Sequence, residues 1–150
     1  MLIAPLIGIL PVAEPRLFLV SLQDLERAVI AVTPLLIKVA NRTKGDVTFP
    51  GIVRRLQTSE WQLWLIGNDS GVLACLGTQI NFRDDGQKAF CVTFLSGSDM
   101  KSWLHLLEDL EKWALAQGCI RSTITARKGF ARMLPDYRAY HVELEKDLLA

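Results

Sequence analysis

Sulfur and imidazole are scarce in this chain of 150 residues. Three cysteines, Cys75, Cys91 and Cys119, stand singly, and none forms a C-x-x-C pair. An odd, scattered set argues against a disulfide framework and points to a reducing, cytosolic setting. His105 and His141 lie far apart with no paired cysteines beside them, so no metal centre is expected. Charge is nearly balanced, with 17 basic and 16 acidic residues and a formal net charge of +1. No global field therefore recruits nucleic acid or an anionic membrane. Internal repeats, low-complexity tracts and linkers are also lacking. The apolar stretch Met1–Ala13 carries no basic residue and is interrupted by Pro5 and Pro11. It makes a poor secretory signal and falls short of the ~20 residues that span a bilayer. Residues 1–15 are read as an apolar N-terminal arm that orders or docks.

What is present is core material. Half the residues are hydrophobic, and Trp61, Trp64, Trp103 and Trp113 add bulk. That is enough for one folded domain spanning 1–150. Arg16–Val20 reads as a short strand. Ser21 and Asp24 then open a helix with a capping-box pattern, running toward Ala40, with Pro34 expected to kink or split it. Thr48 and Pro50 open a second helix. Residues 61–66, 72–82 and 89–95 read as three strands of an antiparallel meander, joined by turns at Gly67–Gly71 and Arg83–Gln87. A long helix is expected from Ser98 or Asp99, with Trp103, Leu106, Leu107, Leu110, Trp113 and Ala114 on one face and Gly118 as its stop. Residues 120–126 read as a strand, and a strand–helix–strand unit of this length usually makes a parallel, right-handed crossover. A short helix over 127–134 ends at Pro135. Residues 139–145 alternate Tyr140, Val142 and Leu144 against His141, Glu143 and Glu145, which predicts a closing, half-buried strand.

This order resembles the GNAT N-acetyltransferase fold. The fold class that follows is α+β, a mixed and mostly antiparallel twisted sheet with helices on both faces. Its one parallel pair joins 89–95 to 120–126. A narrower likeness lies in residues 110–146. Glu111, Trp113, Ala114, Gly118 and Cys119 follow an E-x-W-A…G-C pattern. Residues 126–137 follow G-R-x-G-W-x-R-x-L-x-G-Y, with Ala126, Phe130 and Asp136 replacing its first glycine, tryptophan and last glycine. Leu144 and Lys146 match a closing L-x-K. These motifs are similar to those of GNAT-like proteins encoded by bacteriophages.

The resemblance implies acetyl-CoA held between the fourth and fifth strands, with its pyrophosphate on backbone N–H groups where the next helix begins. Glycines let the backbone curl around phosphates, and the helix dipole favours their charge. The matching loop is Leu95, Ser96, Gly97, Ser98, Asp99 and Met100. It has one glycine, no preceding arginine or glutamine, and a carboxylate where an anion would sit. A plain capped turn is the competing reading of this loop. Arg127, Lys128 and Arg132, with Arg121 and Arg138, form a local basic cluster. It reads as a dock for the 3′-phosphate of CoA, a contact for a partner, or a solvated face. Nucleic acid is the least favoured partner, because no aromatic stacking platform accompanies the cluster.

The resemblance also implies a tyrosine that donates a proton to the leaving thiolate. The expected position falls near Arg132, which leaves Tyr137 and Tyr140 as catalytic candidates. Two roles follow. One is acetyl-CoA-dependent N-acyl transfer to an amine, with a protein lysine or N-terminus as acceptor. The other is a non-catalytic role among phage structural proteins, in the virion or its assembly. The corresponding places are the cytoplasm of a bacterial host or the virion, with no membrane partner and with self-association left open.

Overall fold

The computed structural model describes residues 14–126 and 128–149. Most of the N-terminal arm, residues 1–13, therefore lies outside the described residues. One five-stranded sheet has the order β1-β2-β3-β4-β5, with β1 Arg16–Leu19, β2 Gln62–Asn68, β3 Gly71–Phe82, β4 Lys88–Gly97 and β5 Cys119–Ile124. The first four strands pair antiparallel, and β4 pairs with β5 in parallel. The α+β class and the parallel pair are as the chain order led one to expect. No helix among the described residues is long and apolar enough to cross a membrane.

Two helices cover one face. A 3-10 turn at Leu22–Asp24, capped by the Ser21 hydroxyl, leads into α1, Leu25–Arg42. The helix α2, Phe49–Gln57, is capped by Thr48, whose hydroxyl accepts from Gly51 N at 3.0 Å. Leu25, Val32, Leu36, Val39, Ile52 and Leu56 pack from these helices onto Leu63, Cys75 and Phe94 of the sheet. Their spacing along α1 is that of a single helical face. Pro34 does not split α1, which runs unbroken through it. It lies on the exposed side, beside exposed Ile30, so the Ile30 carbonyl deprived of its helical partner faces water.

The opposite face carries Trp64, Ile66, Leu76, Phe90 and Val92 under Trp103, Leu106, Leu107, Leu110 and Ala114. The expected single long helix is divided here into α3, Met100–Trp103, a 3-10 turn at Leu104–Leu106, and α4, Leu107–Ala116. Trp103 is the break. Its φ of −132° leaves the helical range, while its indole N–H donates to the Ser98 carbonyl at 2.7 Å. Gly118 ends the crossover with a φ of +90°, a left-handed stop that glycine adopts freely.

After β5 the chain departs further from expectation. The helix anticipated over 127–134 is a 3-10 turn at Lys128–Arg132. Residues 139–145 form no strand and lie exposed. Period-2 alternation supplies a strand's faces but not the neighbour it must bond to.

One buried polar chain runs through the sheet. Trp64 Nε1 donates to Thr78 Oγ1 at 2.9 Å, and Thr78 Oγ1 donates to Gln62 Oε1 at 2.9 Å. Thr78→Val removes the middle link and leaves the indole N–H without a partner. The expected cost is about 2 kcal/mol, or a Tm lower by about 6 °C. An unchanged Tm in a thermal melt would show that water replaces the hydroxyl.

Candidate functional site

The parallel strands β4 and β5 pair from Lys88–Cys119 to Val92–Ile124, with a register shift after Lys88, and there the pairing stops. β5 ends, while β4 continues for Thr93–Gly97 without a β5 partner. A β-bulge sits at this point. Thr78 pairs with Val92 and Gly77 with Phe94, so Thr93 is the extra residue. A bulge bends its strand and increases the local twist, which turns β4 away from β5. Thr93 Oγ1 is buried with no hydrogen-bond partner among the described residues. Nearby, the guanidinium of Arg42 at the end of α1 donates to the Leu95 carbonyl at 3.5 Å and to Ser96 Oγ at 3.4 Å. Neither Thr93 nor Arg42 stood out in the sequence. The bulge leaves no composition signal, and Arg42 reads as an ordinary helix-end cation.

The loop beyond β4 distributes its residues unevenly. Leu95 and Met100 are half-buried against the α4-side core. Ser96 is buried and faces away from that side, its hydroxyl donating to the Leu35 carbonyl of α1 at 3.0 Å. Gly97 packs on Ala74, and a Cβ there would lie within 2.5 Å of Ala74 Cα and the Leu73 carbonyl oxygen. Ser98 N already donates to that carbonyl at 3.0 Å. Asp99 is exposed at the start of α3. Its backbone is left-handed, with φ 56° and ψ 43°, and its side chain makes no capping bond. It is therefore not the ordinary N-cap the sequence suggested. Its carbonyl instead accepts from Ser102 Oγ at 2.8 Å.

The other candidate residues gather on the outer flank of β5. Tyr137 OH donates to Glu111 Oε2 of α4 at 2.6 Å and lies 2.7 Å from Ser122 Oγ of β5. Burial, then the bond to Glu111, pushes the Tyr137 hydroxyl well above the usual phenol range, so it keeps its proton at neutral pH. Tyr140 is exposed and stacks edge-on against His141. A cleft of about 370 Å³ between β5 and the chain after Pro135 is lined by Arg121, Ser122, Ile124, Tyr137, Arg138 and Tyr140, among others. Arg132 lines a second cleft of about 700 Å³ with Phe130 and Leu134. Both clefts flank β5 away from β4. Arg127 and the side chain of Lys128 lie outside the described residues. The Tyr137–Glu111 contact joins positions 26 apart in sequence, and nothing in the local pattern announces it.

Two buried cysteines are poor nucleophiles. Burial pushes Cys75 up to about 12 and raises Cys119 more modestly, with Lys88 opposing. A thiol held above its ordinary 9.0 contributes stability that is complete below pH 9 and lost as pH rises toward 12. Tyr137 acts in the same direction above 10.0. Tm should therefore hold to pH 9 and then fall, and the fall should be shallower in Cys75→Ala. A thermal melt series with identical slopes for both chains would contradict this.

No family model matches the chain, nor does any curated protein sequence. Solved structures do resemble it. An aminoglycoside acetyltransferase from an uncultured soil metagenomic sample, solved with sisomicin, superposes at a TM-score of 0.67 with 12% identity, over 90% of this chain and 97% of that one. Glucosamine-6-phosphate N-acetyltransferase from Arabidopsis thaliana gives 0.62 with 13% identity, over 91% and 99%. Ribosomal-protein-alanine N-acetyltransferase from Brucella melitensis biovar Abortus 2308 gives 0.63 with 16% identity, over 92% and 99%. The chain has the fold of the GNAT acetyltransferases. At this identity the likeness establishes the fold and leaves the chemistry to the site.

Proposed function

We propose that this chain is an N-acetyltransferase that takes acetyl-CoA along the free edge of β4 and passes its acetyl group to an amine. The observation that carries this reading is the end of β4–β5 pairing at Val92 and Ile124, beside the Thr93 bulge. A strand edge without a partner presents backbone N–H and C=O groups, and the amide-bearing arm of CoA can pair with such an edge. The residues fit the two ends of the ligand unequally. At the acyl end, β4 from Thr93 to Ser96 lacks a strand neighbour on the β5 side. At the pyrophosphate end, the Ser98 amide is already used and Asp99 opposes an anion. Arg42 brings a cation to the end of β4, through Leu95 and Ser96.

Acetyl-CoA, when bound, would supply a thioester whose acetyl carbon forms a bond to the amine nitrogen as the carbon–sulfur bond breaks, the amine's proton ending on the departing CoA thiol. The chain's own contribution is to hold that thioester against β4 and to keep the fifth strand apart. Tyr137 keeps its proton but directs it to Glu111, so we assign it to anchoring the chain after Pro135 onto β5 and α4. Isothermal titration with acetyl-CoA tests the reading. We expect saturable heat with a Kd in the range of tens to hundreds of micromolar, about 5–6 kcal/mol of binding. No heat at millimolar ligand would overturn it.

Asp99→Gly bears on the same site. It removes a carboxylate near the diphosphate, worth about 1 kcal/mol at close range in water, and relieves a left-handed non-glycine backbone. Acetyl-CoA should bind about 5-fold more tightly, with no loss of Tm. Unchanged affinity would place the diphosphate elsewhere. A second reading, a GNAT-fold protein without catalysis, is favoured by the occupied Ser98 amide. The narrower readings, a protein amine as acceptor and kinship with bacteriophage-encoded relatives in the cytoplasm or virion, rest on the motif resemblance in 110–146.

A further inference from the structure

We infer, resting on the acetyl-CoA reading above, that the amine this chain acetylates carries an anionic group, a carboxylate or a phosphate, and that Arg42 binds it. The two faces of the sheet differ where β4 loses its β5 partner. α3 begins on the α4-side face, where Met100 packs, and the diphosphate is assigned to the loop that leads into it. The other face belongs to α1, whose Leu35 carbonyl accepts from the Ser96 hydroxyl at 3.0 Å. With CoA arriving from the α3 side, the amine reaches the thioester from the α1 side.

Arg42 stands on that side. It is the last residue of α1, and it reaches the Leu95 carbonyl at 3.5 Å and Ser96 Oγ at 3.4 Å. Both contacts are longer than the ~2.9–3.0 Å of a well-formed N–H···O bond, and both acceptors are uncharged. A guanidinium carries five N–H donors in a planar fork, so most of them stay available here. No carboxylate pairs with it among the described residues. Such a fork matches a carboxylate or phosphate with two parallel bonds.

The surroundings share its sign. From Ala28 to Gly45 the chain carries Lys38, Arg42 and Lys44 and no acid. Lys38 lies one helical turn before Arg42, on the same flank of α1. It too makes no ion pair among the described residues. Glu26, the one acid within α1, is near its far end, about 24 Å away along the helix axis. Asp46 follows only after the turn at Gly45. A polycationic amine would meet like charges here, whereas an amine bearing an anion gains a partner. Two to three residues of strand, about 7–10 Å, separate Thr93 from the Leu95 and Ser96 contacts. Amine and acid are therefore joined through a spacer of several atoms.

Steady-state acetylation of paired amines tests this. One series sets ω-amino carboxylates against their amides, and the other sets ω-aminoalkyl phosphates against the parent amino alcohols. At least one charged series should exceed its neutral counterpart about 10-fold in kcat/KM. The series that does so identifies the acid as carboxylate or phosphate. Arg42→Gln should abolish the preference, chiefly by raising KM for the charged amine, and Arg42→Lys should restore part of it. Titration should find the acetyl-CoA Kd of Arg42→Gln within about 2-fold of the parent chain, a shift too small to mark a lost charged contact. Arg27→Gln, toward the opposite end of α1, is the control and should keep the preference. A chain that binds acetyl-CoA but shows no preference for the charged amines, or acetylates none of them, overturns this inference alone. A chain that binds no acetyl-CoA overturns the reading of the site and this inference with it. A preference that survives Arg42→Gln, or a loss of acetyl-CoA affinity in its place, also overturns it, the latter assigning Arg42 to the diphosphate.

Discussion

A chain lacking Thr93 should fold normally and bind acetyl-CoA about 100-fold more weakly. Val92 faces the α4-side core and Phe94 the α1-side core, while Thr93 is the extra residue between them. Removing it restores simple alternation, so Phe94, Leu95 and Ser96 keep the faces they now occupy. The buried, unpartnered Thr93 hydroxyl disappears with it. β4 then runs straight, and its pairing with β5 has no reason to stop at Val92. The edge offered to the ligand is lost. Two or three backbone hydrogen bonds at about 1 kcal/mol each amount to roughly 100-fold in affinity. Circular dichroism and thermal melting establish folding, and titration reads the affinity. A folded Thr93 deletion with native affinity would remove the bulge from the account.

The second large effect concerns stability. Gly97→Ala should cost about 3 kcal/mol, the upper range for overpacking a tight contact, and lower Tm by about 9 °C. The added Cβ meets Ala74 and the Leu73 carbonyl, which are main-chain and Cβ positions of the adjacent strand and cannot swing aside. Gly129→Ala is the control, because a Cβ there meets nothing within 4 Å among the described residues. It should change stability by no more than about 0.5 kcal/mol. Gly97 is thus a packing glycine, which weakens its reading as a phosphate-cradle residue. A thermal melt in which both variants behave alike would contradict this assignment.

The deletion and the substitution also mark what was legible in the sequence. Alternation and turn residues carried the order of elements from Arg16 to Ile124, because each strand there has a neighbour and each helix a face to bury. Trp64 of β2 packs in the α4-side core, and Trp61, just before β2, packs against the α1-side core. The bulge was not legible, since Val92-Thr93-Phe94 looks like any strand interior. With it went the direction of Ser96, which faces α1 instead of the loop's ligand side. The division of the long helix was hidden because Leu104, Leu106 and Leu107 continue its apolar stripe. What breaks it is a tertiary bond from Trp103 to Ser98. Residues 139–145 failed for the opposite reason. Their pattern is that of a strand, but a cleft keeps them apart from β5.

The pyrophosphate loop divides in the same way. Its single glycine and its carboxylate were visible from the start. That the Ser98 amide is already bonded to Leu73, and that Asp99 is left-handed, required the fold. Together they predict a ligand gripped mainly along β4 and only loosely at its phosphates. The most direct measurement is an acetyl-CoA titration of the ¹⁵N-labelled chain, followed by amide chemical shifts. Shifts should concentrate in Thr93–Gly97 and in Ile124–Ala126, with smaller ones at Ser98–Met100. Shifts confined to the outer flank of β5, or none at millimolar acetyl-CoA, would contradict it.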